Sequence, residues 1–413
     1  MTPARVDAAV LGGAAARREP GLITRAVLLA FSLSVPIDSL RVPGLGLAVE
    51  GAALALLLAA VVTVASSGIW RPIPPAMLAL LAFAAWTAVT LLWAHDLPPA
   101  LERVLTNVSL VAIVLVAWQL VRTPLDLRLI LAGFVLGAGL VALGAWRSFL
   151  AGITHVEATY GSGTSIDEAR YSALGFDPND MGLTLAIGLV MAGYLGLTGT
   201  GRWRQLWLAY LPLALSAVAL SGSRGAAFAA ALAVATVLWW MARRNRRAFL
   251  LAMALLVAGG ALVWLRTPET WERIFTVRQQ LAGGSLGERL PIWRAGWELF
   301  LAHPLAGVGV GGFQSAVARG LGYAIVAHNT PLSVAAEAGL VGLVLFYGAV
   351  AKIAWDGLGA PRADRNLVLG LLATWFIGTA SLTWENRKTT WLVLLIGAAV
   401  HGLGRDRAPA EDP

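Results

Sequence analysis

The chain contains no cysteine in its 413 residues. Disulfides, thiolate metal sites and a cysteine nucleophile are therefore excluded. Charge is also scarce: charged residues are 13% of the chain, hydrophobic residues are 58%, and mean hydropathy is +0.73. A water-soluble fold of that make-up would carry more apolar surface than it could bury, so the composition calls for the bilayer as solvent. Acidic residues are the rarer sign, 23 against 31 Lys and Arg, which gives a net charge of +8. In a soluble protein that excess would suggest nucleic acid. Here the basic residues sit between apolar segments and no basic module interleaved with aromatics is present, so nucleic acid is not an expected partner. Chemistry is left to histidine, carboxylates, hydroxyls and arginine. His95, His155 and His303 have no spacing that builds a metal site, and no metal or other cofactor is expected.

Long apolar runs make up most of what is present. Crossing roughly 30 Å of hydrocarbon takes roughly 17 to 25 apolar residues. Runs of that kind, bounded by charge, proline or glycine, lie near 22–37, 44–65, 74–94, 103–121, 127–149, 178–198, 204–221, 224–242, 247–265, 330–354, 366–384 and 389–404. They predict an all-α polytopic membrane protein of about twelve transmembrane helices. Residues 1–413 read as a single membrane domain, without a separate soluble domain. The first run follows Arg17 and Arg18 as a secretory signal would, yet Pro36-Ile37-Asp38-Ser39 offers no small-x-small cleavage site, so it reads as a retained helix. Basic residues such as Arg71, Arg122, Arg128, Arg202, Arg243, Arg244 and Arg362 fall in alternate short loops. The positive-inside rule places those loops and both termini in the cytoplasm.

Two loops on the opposite, outer side, 150–177 and 266–329, are too long to be simple connectors. Within the second, Pro291 opens a helix in which Trp293, Trp297 and Leu301 recur every four residues, with Arg294 and Glu298 on other faces. That pattern suits an amphipathic helix in the membrane interface.

The stretch richest in chemistry is His328-Asn329-Thr330-Pro331. Thr330 is expected to cap a helix with Pro331 at its first position, leaving His328 and Asn329 at the helix mouth near the outer boundary. A neutral imidazole there can take a proton from a sugar hydroxyl; the plainer alternative is an interfacial anchor. Glu337 lies about two turns deeper, where a carboxylate is costly unless paired or protonated, so it is expected to orient a partner such as an arginine. Three outer-side arginines form the second signal. Arg170 precedes the turn holding Gly175, Asp177 and Asn179, Arg224 sits in Ser221-Gly222-Ser223-Arg224-Gly225, and Arg289 begins the amphipathic segment. Guanidinium groups suit bidentate contacts with phosphate oxygens, and the shared side of these three suggests one cavity for a lipid-linked anion. Each taken singly also reads as a headgroup-facing arginine. Gly307 to Gly312 spell GxGxxG, but after an amphipathic helix and not a strand, so they serve a chain turn and not a nucleotide.

With these residues the chain resembles the O-antigen ligase and polymerase superfamily of bacterial membrane glycosyltransferases. The resemblance rests on Ser285 through Arg289, Trp293, His303-Pro304-Leu305 to Gly309, Phe313, and the ligase spacing His-Asn, nine residues, Gly, two residues, Gly, met by His328, Asn329, Gly339 and Gly342. It implies a donor of O-polysaccharide on undecaprenyl diphosphate, whose diphosphate is bound by some of Arg170, Arg224 and Arg289. It implies that His328 acts as base or orients the acceptor, a lipid A-core hydroxyl, with Asn329, Glu337, Asn179 and Asp177 in support. Neither ATP nor metal is required. The implied setting is the bacterial inner membrane, among its lipids, with the active site periplasmic. Polymerases and protein O-oligosaccharyltransferases of the same superfamily are alternatives. A transporter of lipid-linked saccharide is the alternative of another class; it would show broken helices in paired halves, whereas here polar groups concentrate in outer loops.

Overall fold

Proline and capping side chains set where the helices begin. A computed structural model describes residues 20–155, 170–261 and 289–405, apart from positions 69, 245, 248, 251, 255, 256, 259 and 260. Proline occupies one of the first two positions of the helices that start at Pro75, Leu97, Pro124, Pro178 and Thr330, where its missing N–H is not needed. Thr123 and Asp126 form a reciprocal capping box, and Asp177 and Asn329 cap the helices that follow them.

The helices are α1 Leu22–Ile37, α2 Leu45–Ser67, α3 Pro75–Val89 with a tight turn Thr90–Leu92, α4 Leu97–Leu120, α5 Pro124–Leu150, α6 Pro178–Thr198, α7 Trp203–Ser221 and α8 Arg224–Arg244. After residue 288 come α9 Arg289–Ala302, α10 Phe313–Leu321, α11 Thr330–Leu358, α12 Arg362–Thr379 and α13 Lys388–Arg405. No strand occurs among the described residues. Among the described residues, seven helices are long and apolar enough to cross a membrane: α2, α3 with its turn, α4, α5, α6, α8 and α11. Helices stand at the other expected stretches too, but α1 is a shorter apolar helix, and α12 opens on Arg362, Asp364 and Arg365. Of the expected helix 247–265, the described residues up to 261 are helical. Arg17, Arg18, residues 156–169 of the first long loop and residues 262–288 of the second, including Ser285 to Glu288, lie outside the described residues.

Three expectations shift. The helix predicted to reach 384 ends at Thr379. The second long loop contains two helices, α9 and α10, and α9 begins at Arg289, ahead of Pro291. On α9 the buried face is Ile292 and Gly296, packed against Phe313 and Leu332, while Trp297 and Leu301 stay exposed, as a helix lying in an interface requires.

At the centre of the bundle is α6, whose most apolar window is 89% buried, whereas α2 at 17% turns most of its surface outward. Small residues allow the closest approaches. A Cβ on Gly133 or Gly137 of α5 would strike the backbone of Leu29 or Leu33 on α1. Polar contacts gather at the two ends of the helices. At one end Arg25 pairs with Asp126 at 3.1 Å, Arg71 reaches the carbonyls of Trp118 and Val121, and Tyr194 donates to Asp364. At the other, here called the site end, segments 38–44, 90–96, 170–180, 221–225, 303–330 and 380–388 meet, as shown by Arg41 to Leu174, Val310 to Thr90 and Lys388 to Asp38.

The sharpest departure from regular helix lies in α11. Gly339 has φ 65° and ψ −166°, which breaks the helical ladder. Residues 304–309 repair it: Val308 N–H donates to Ala336 O (2.9 Å), Gly309 N–H to Glu337 O (3.0 Å), and Leu340 N–H to Pro304 O (2.8 Å). Gly307, Gly309 and Gly311 have φ of 71°, 95° and 74°, and a Cβ on Gly307 would strike the Glu337 backbone. The glycines therefore let one backbone lie against another, and no nucleotide is needed to explain them.

Gly339→Ala forces a side chain into left-handed backbone and against the Leu305 carbonyl. It should lower stability by about 2 kcal/mol or more. Gly348→Ala, whose Cβ meets nothing within 4 Å, should stay within about 1 kcal/mol of the wild type. Thermal unfolding of both variants in detergent compares the two.

Candidate functional site

His328 is the only non-glycine residue with positive φ among the described residues, at 46°. Such backbone in a histidine has to be held by its neighbours. Before it, the Ala327 carbonyl accepts from the Trp293 indole at 3.1 Å. After it, Asn329 donates from its side-chain amide to Ala380 O at 3.1 Å and accepts from Leu332 N–H at 2.9 Å. The cap of α11 is thus Asn329, and the expectation for Thr330 needs correction. Thr330 is fully buried; its hydroxyl donates to Leu382 O (2.7 Å) and accepts from Trp384 N–H (2.8 Å). It pins the helix start to the α12–α13 turn.

The arginine segments converge on the same turn. Arg170 is buried, donating from Nε to Ser221 O (3.0 Å) and from a terminal nitrogen to Asn179 Oδ1 (2.8 Å). Tyr171 N–H donates to Leu220 O at 3.0 Å, so the 170–180 segment is fastened to the end of α7. Gly222 takes φ 60° there and Ser223 Oγ accepts from Ala226 N–H at 3.3 Å, which starts α8 at Arg224. One residue on, a Cβ at Gly225 would collide with the Ser381 hydroxyl. Arg289 opens α9 one turn before Trp293, and so shares the face that reaches residue 327.

These contacts close a ring: Arg170 to Ser221, the 221–225 turn to Ser381, Ala380 to Asn329, Thr330 to Trp384, and Trp384 to Asp180 beside Asn179. Arg170, Asn179, Arg224, Asn329 and His328 are all on its segments, and Arg289 flanks it. Asp177 has a narrower part, capping α6 by accepting from Asn179 N–H (2.8 Å) and Asp180 N–H (3.1 Å). Glu337 is off the ring, and Arg103 is a cation within electrostatic reach of it. Its two carboxylate oxygens accept from Gly311 N–H (3.0 Å) and Phe313 N–H (3.2 Å), so its hydrogen-bond partners are backbone amides at the start of α10. The N-terminal ends of α6, α8 and α11 all point into this region, a field that favours anions.

Sequence reasoning missed the 380–387 turn. Trp384 donates its indole N–H to Asp180 Oδ1 at 2.8 Å, and Arg387 pairs with the other oxygen of Asp180. Glu385 is 5% exposed and accepts from Ser333 Oγ at 2.8 Å. Burial pushes its carboxyl above the ordinary range, against the Arg103 guanidinium, which pulls it down. A cavity of about 410 Å³ opens beside the turn, walled in part by Phe176, Asp180, Trp384, Arg387, Lys388 and Leu110. The run Thr383 to Lys388, polar and aromatic between two apolar stretches, was the available signal.

Fold and site together define a helical membrane protein with a cation-bearing, histidine-containing site at one end of its bundle. Residues 209–347 match the family model described as O-Antigen ligase. Over 243 residues, 54% of this chain and 57% of the relative, the sequence is 28% identical to an O-antigen ligase of Pseudomonas aeruginosa. The likeness to O-antigen ligases is thus carried by a family segment at 209–347 and by this relative. The match spans little more than half of that relative's length. Arg224, Arg289, His328, Asn329, Glu337, Gly339 and Gly342 fall inside the family segment; Arg170, Asp180 and Trp384 fall outside it.

Two variants test the hub. Thr330→Val keeps the shape but removes both hydroxyl contacts and should cost about 1 to 3 kcal/mol, read as a lowered melting temperature. Because the folded state raises the Glu385 pKa, it binds a proton more tightly than the unfolded chain does, and this favours folding below the ordinary Glu value of 4.5. That contribution is lost as pH rises through the folded value. Melting curves across pH should therefore show Glu385→Gln gaining on the wild type toward alkaline pH and losing that gain in acid.

Proposed function

We propose that this protein is an O-antigen ligase, a glycosyltransferase that moves O-polysaccharide from undecaprenyl diphosphate to a sugar hydroxyl of lipid A-core at the periplasmic face of the bacterial inner membrane. The observation that carries the reading is the ring that holds His328-Asn329 together with the Arg170 and Arg224 turns at one end of a membrane bundle. Arginines at the opposite helix ends, among them Arg71, Arg128, Arg202, Arg243 and Arg244, support a cytoplasmic setting for that end, and so a periplasmic one for the site. The O-antigen ligase name of the relative supports the reaction class.

In this scheme Arg224 and Arg289 bind the donor diphosphate, and Arg170 contributes from its buried seat. The acceptor hydroxyl attacks the anomeric carbon as the bond from that carbon to the diphosphate oxygen breaks. Its proton passes to the His328 imidazole, and the electron pair leaves on undecaprenyl diphosphate, with inversion at the sugar. Guanidinium charge stabilises the leaving group, and the donor bond is already activated, so ATP is not required. Asn329 keeps the imidazole at the helix mouth, while Glu337 and Asp177 act on the scaffold.

His328→Asn suits the left-handed backbone while removing the base, so it separates chemistry from folding. It should leave expression and donor binding intact and reduce transfer about 10²- to 10⁴-fold. Arg224→Ala and Arg289→Ala should each cost about 2 to 4 kcal/mol of transition-state stabilisation, with Lys recovering only part. Purified protein given lipid-diphosphate-linked polysaccharide, with and without lipid A-core, measures all of these. Acceptor-dependent product from the wild type is expected; chain growth without acceptor would make it a polymerase, and no transfer at all would sink the transferase reading.

A further inference from the structure

We propose that Asp180 is a positioning residue, setting His328 against Arg170 across the ring; the proposal rests on the transferase reading of this site. Two consecutive residues in the first turn of α6 have partners on different segments. Asn179 accepts from Arg170 at 2.8 Å. Asp180, 8% exposed, accepts from the Trp384 indole at 2.8 Å through one oxygen and pairs with Arg387 through the other. Trp384 in turn donates from its backbone N–H to the Thr330 hydroxyl at 2.8 Å, two residues after His328. Asp180, Trp384 and Thr330 thus form a short, fully hydrogen-bonded path from the arginine side to the histidine side.

The path has little slack. Trp384 is 1% exposed, and its carbonyl accepts from the Thr390 hydroxyl at 2.7 Å. That hydroxyl also accepts from the Trp375 indole at 2.9 Å. A displacement of Trp384 would therefore be passed to Thr330. Asp180 faces a donor on each oxygen, which a carboxylate satisfies on both sides and an amide on only one. A simple staple would need neither the adjacent Asn179–Arg170 contact nor a link that ends two residues from the imidazole. Position errors of this kind act on the chemical step more than on binding.

The test uses full-length protein carrying ¹³C,¹⁵N-labelled histidine, with the His328 signal among the five histidines assigned by its loss in His328→Asn. In Asp180→Ala the imidazole resonance should move, kcat should fall about 100-fold, and the KM for the lipid-linked donor should change little. Asp180→Asn, which can still accept from Trp384, should restore part of both readouts. Trp384→Phe, which removes the same hydrogen bond from the other side, should shift the resonance in the same direction and add little to Asp180→Ala. An unmoved His328 resonance in folded Asp180→Ala and Trp384→Phe would overturn the proposal, as would activity that falls only with the folded fraction. Should the wild type transfer nothing while the resonance moves as expected, the transferase reading falls and takes the kinetic role of Asp180 with it, leaving only its structural coupling to His328.

Discussion

Everything at the site end depends on how the break in α11 is repaired. In hydrocarbon an unpaired backbone group costs several kcal/mol, so a helix can be interrupted at membrane depth only where protein supplies the missing partners. Here they come from residues 304–309, which exchange hydrogen bonds with both sides of Gly339. The Glu337 carboxylate extends the repair by gathering the amides of Gly311 and Phe313, which fixes the start of α10. Phe313 then joins Ile292, Val317, Ala327 and Ala336 in a small apolar cluster that seats α9. Through Trp293 that cluster reaches the carbonyl next to His328. One break and its repair thereby set the backbone that presents the imidazole.

The ring above it works by a related economy. Side chains read as candidates for chemistry or for capping are also the groups that satisfy backbone carbonyls: Arg170 on Ser221, Asn329 on Ala380, Thr330 on Leu382. Structural and functional roles are therefore not separable by asking whether a residue has a partner. They separate only by what is measured: a lost carbonyl contact lowers stability, whereas the role proposed for His328 makes a displaced imidazole lower the rate.

Much of the helical framework was legible in the sequence, because apolar runs bounded by proline, glycine or arginine define helices with purely local signals; α6 begins and ends at the residues the pattern names, 178 and 198. The His328, Asn329, Gly339, Gly342 spacing was legible too, and its glycines have physical reasons: Gly339 is the break itself, and Gly342 packs on Ala338, Trp86 and Phe83. Hidden were the partnerships. Asp180 and Trp384 are separated by 204 positions, and no local periodicity links them. Trp384 was absorbed into an apolar run, and nothing in the local pattern set Asp180 apart. The amides that hold Glu337 were hidden for the same reason, since they belong to another segment.

The carbonyls beneath the ring have an electrostatic consequence. Ser221 O lies at the C-terminal end of α7, and Ala380 O and Leu382 O lie just past that of α12, where aligned peptide dipoles leave partial negative charge. Left bare, these ends would repel an anion. Arg170, Asn329 and Thr330 cover them with a cation and two neutral donors, so the surface an anion meets is shaped first by screening of the fold's own dipoles.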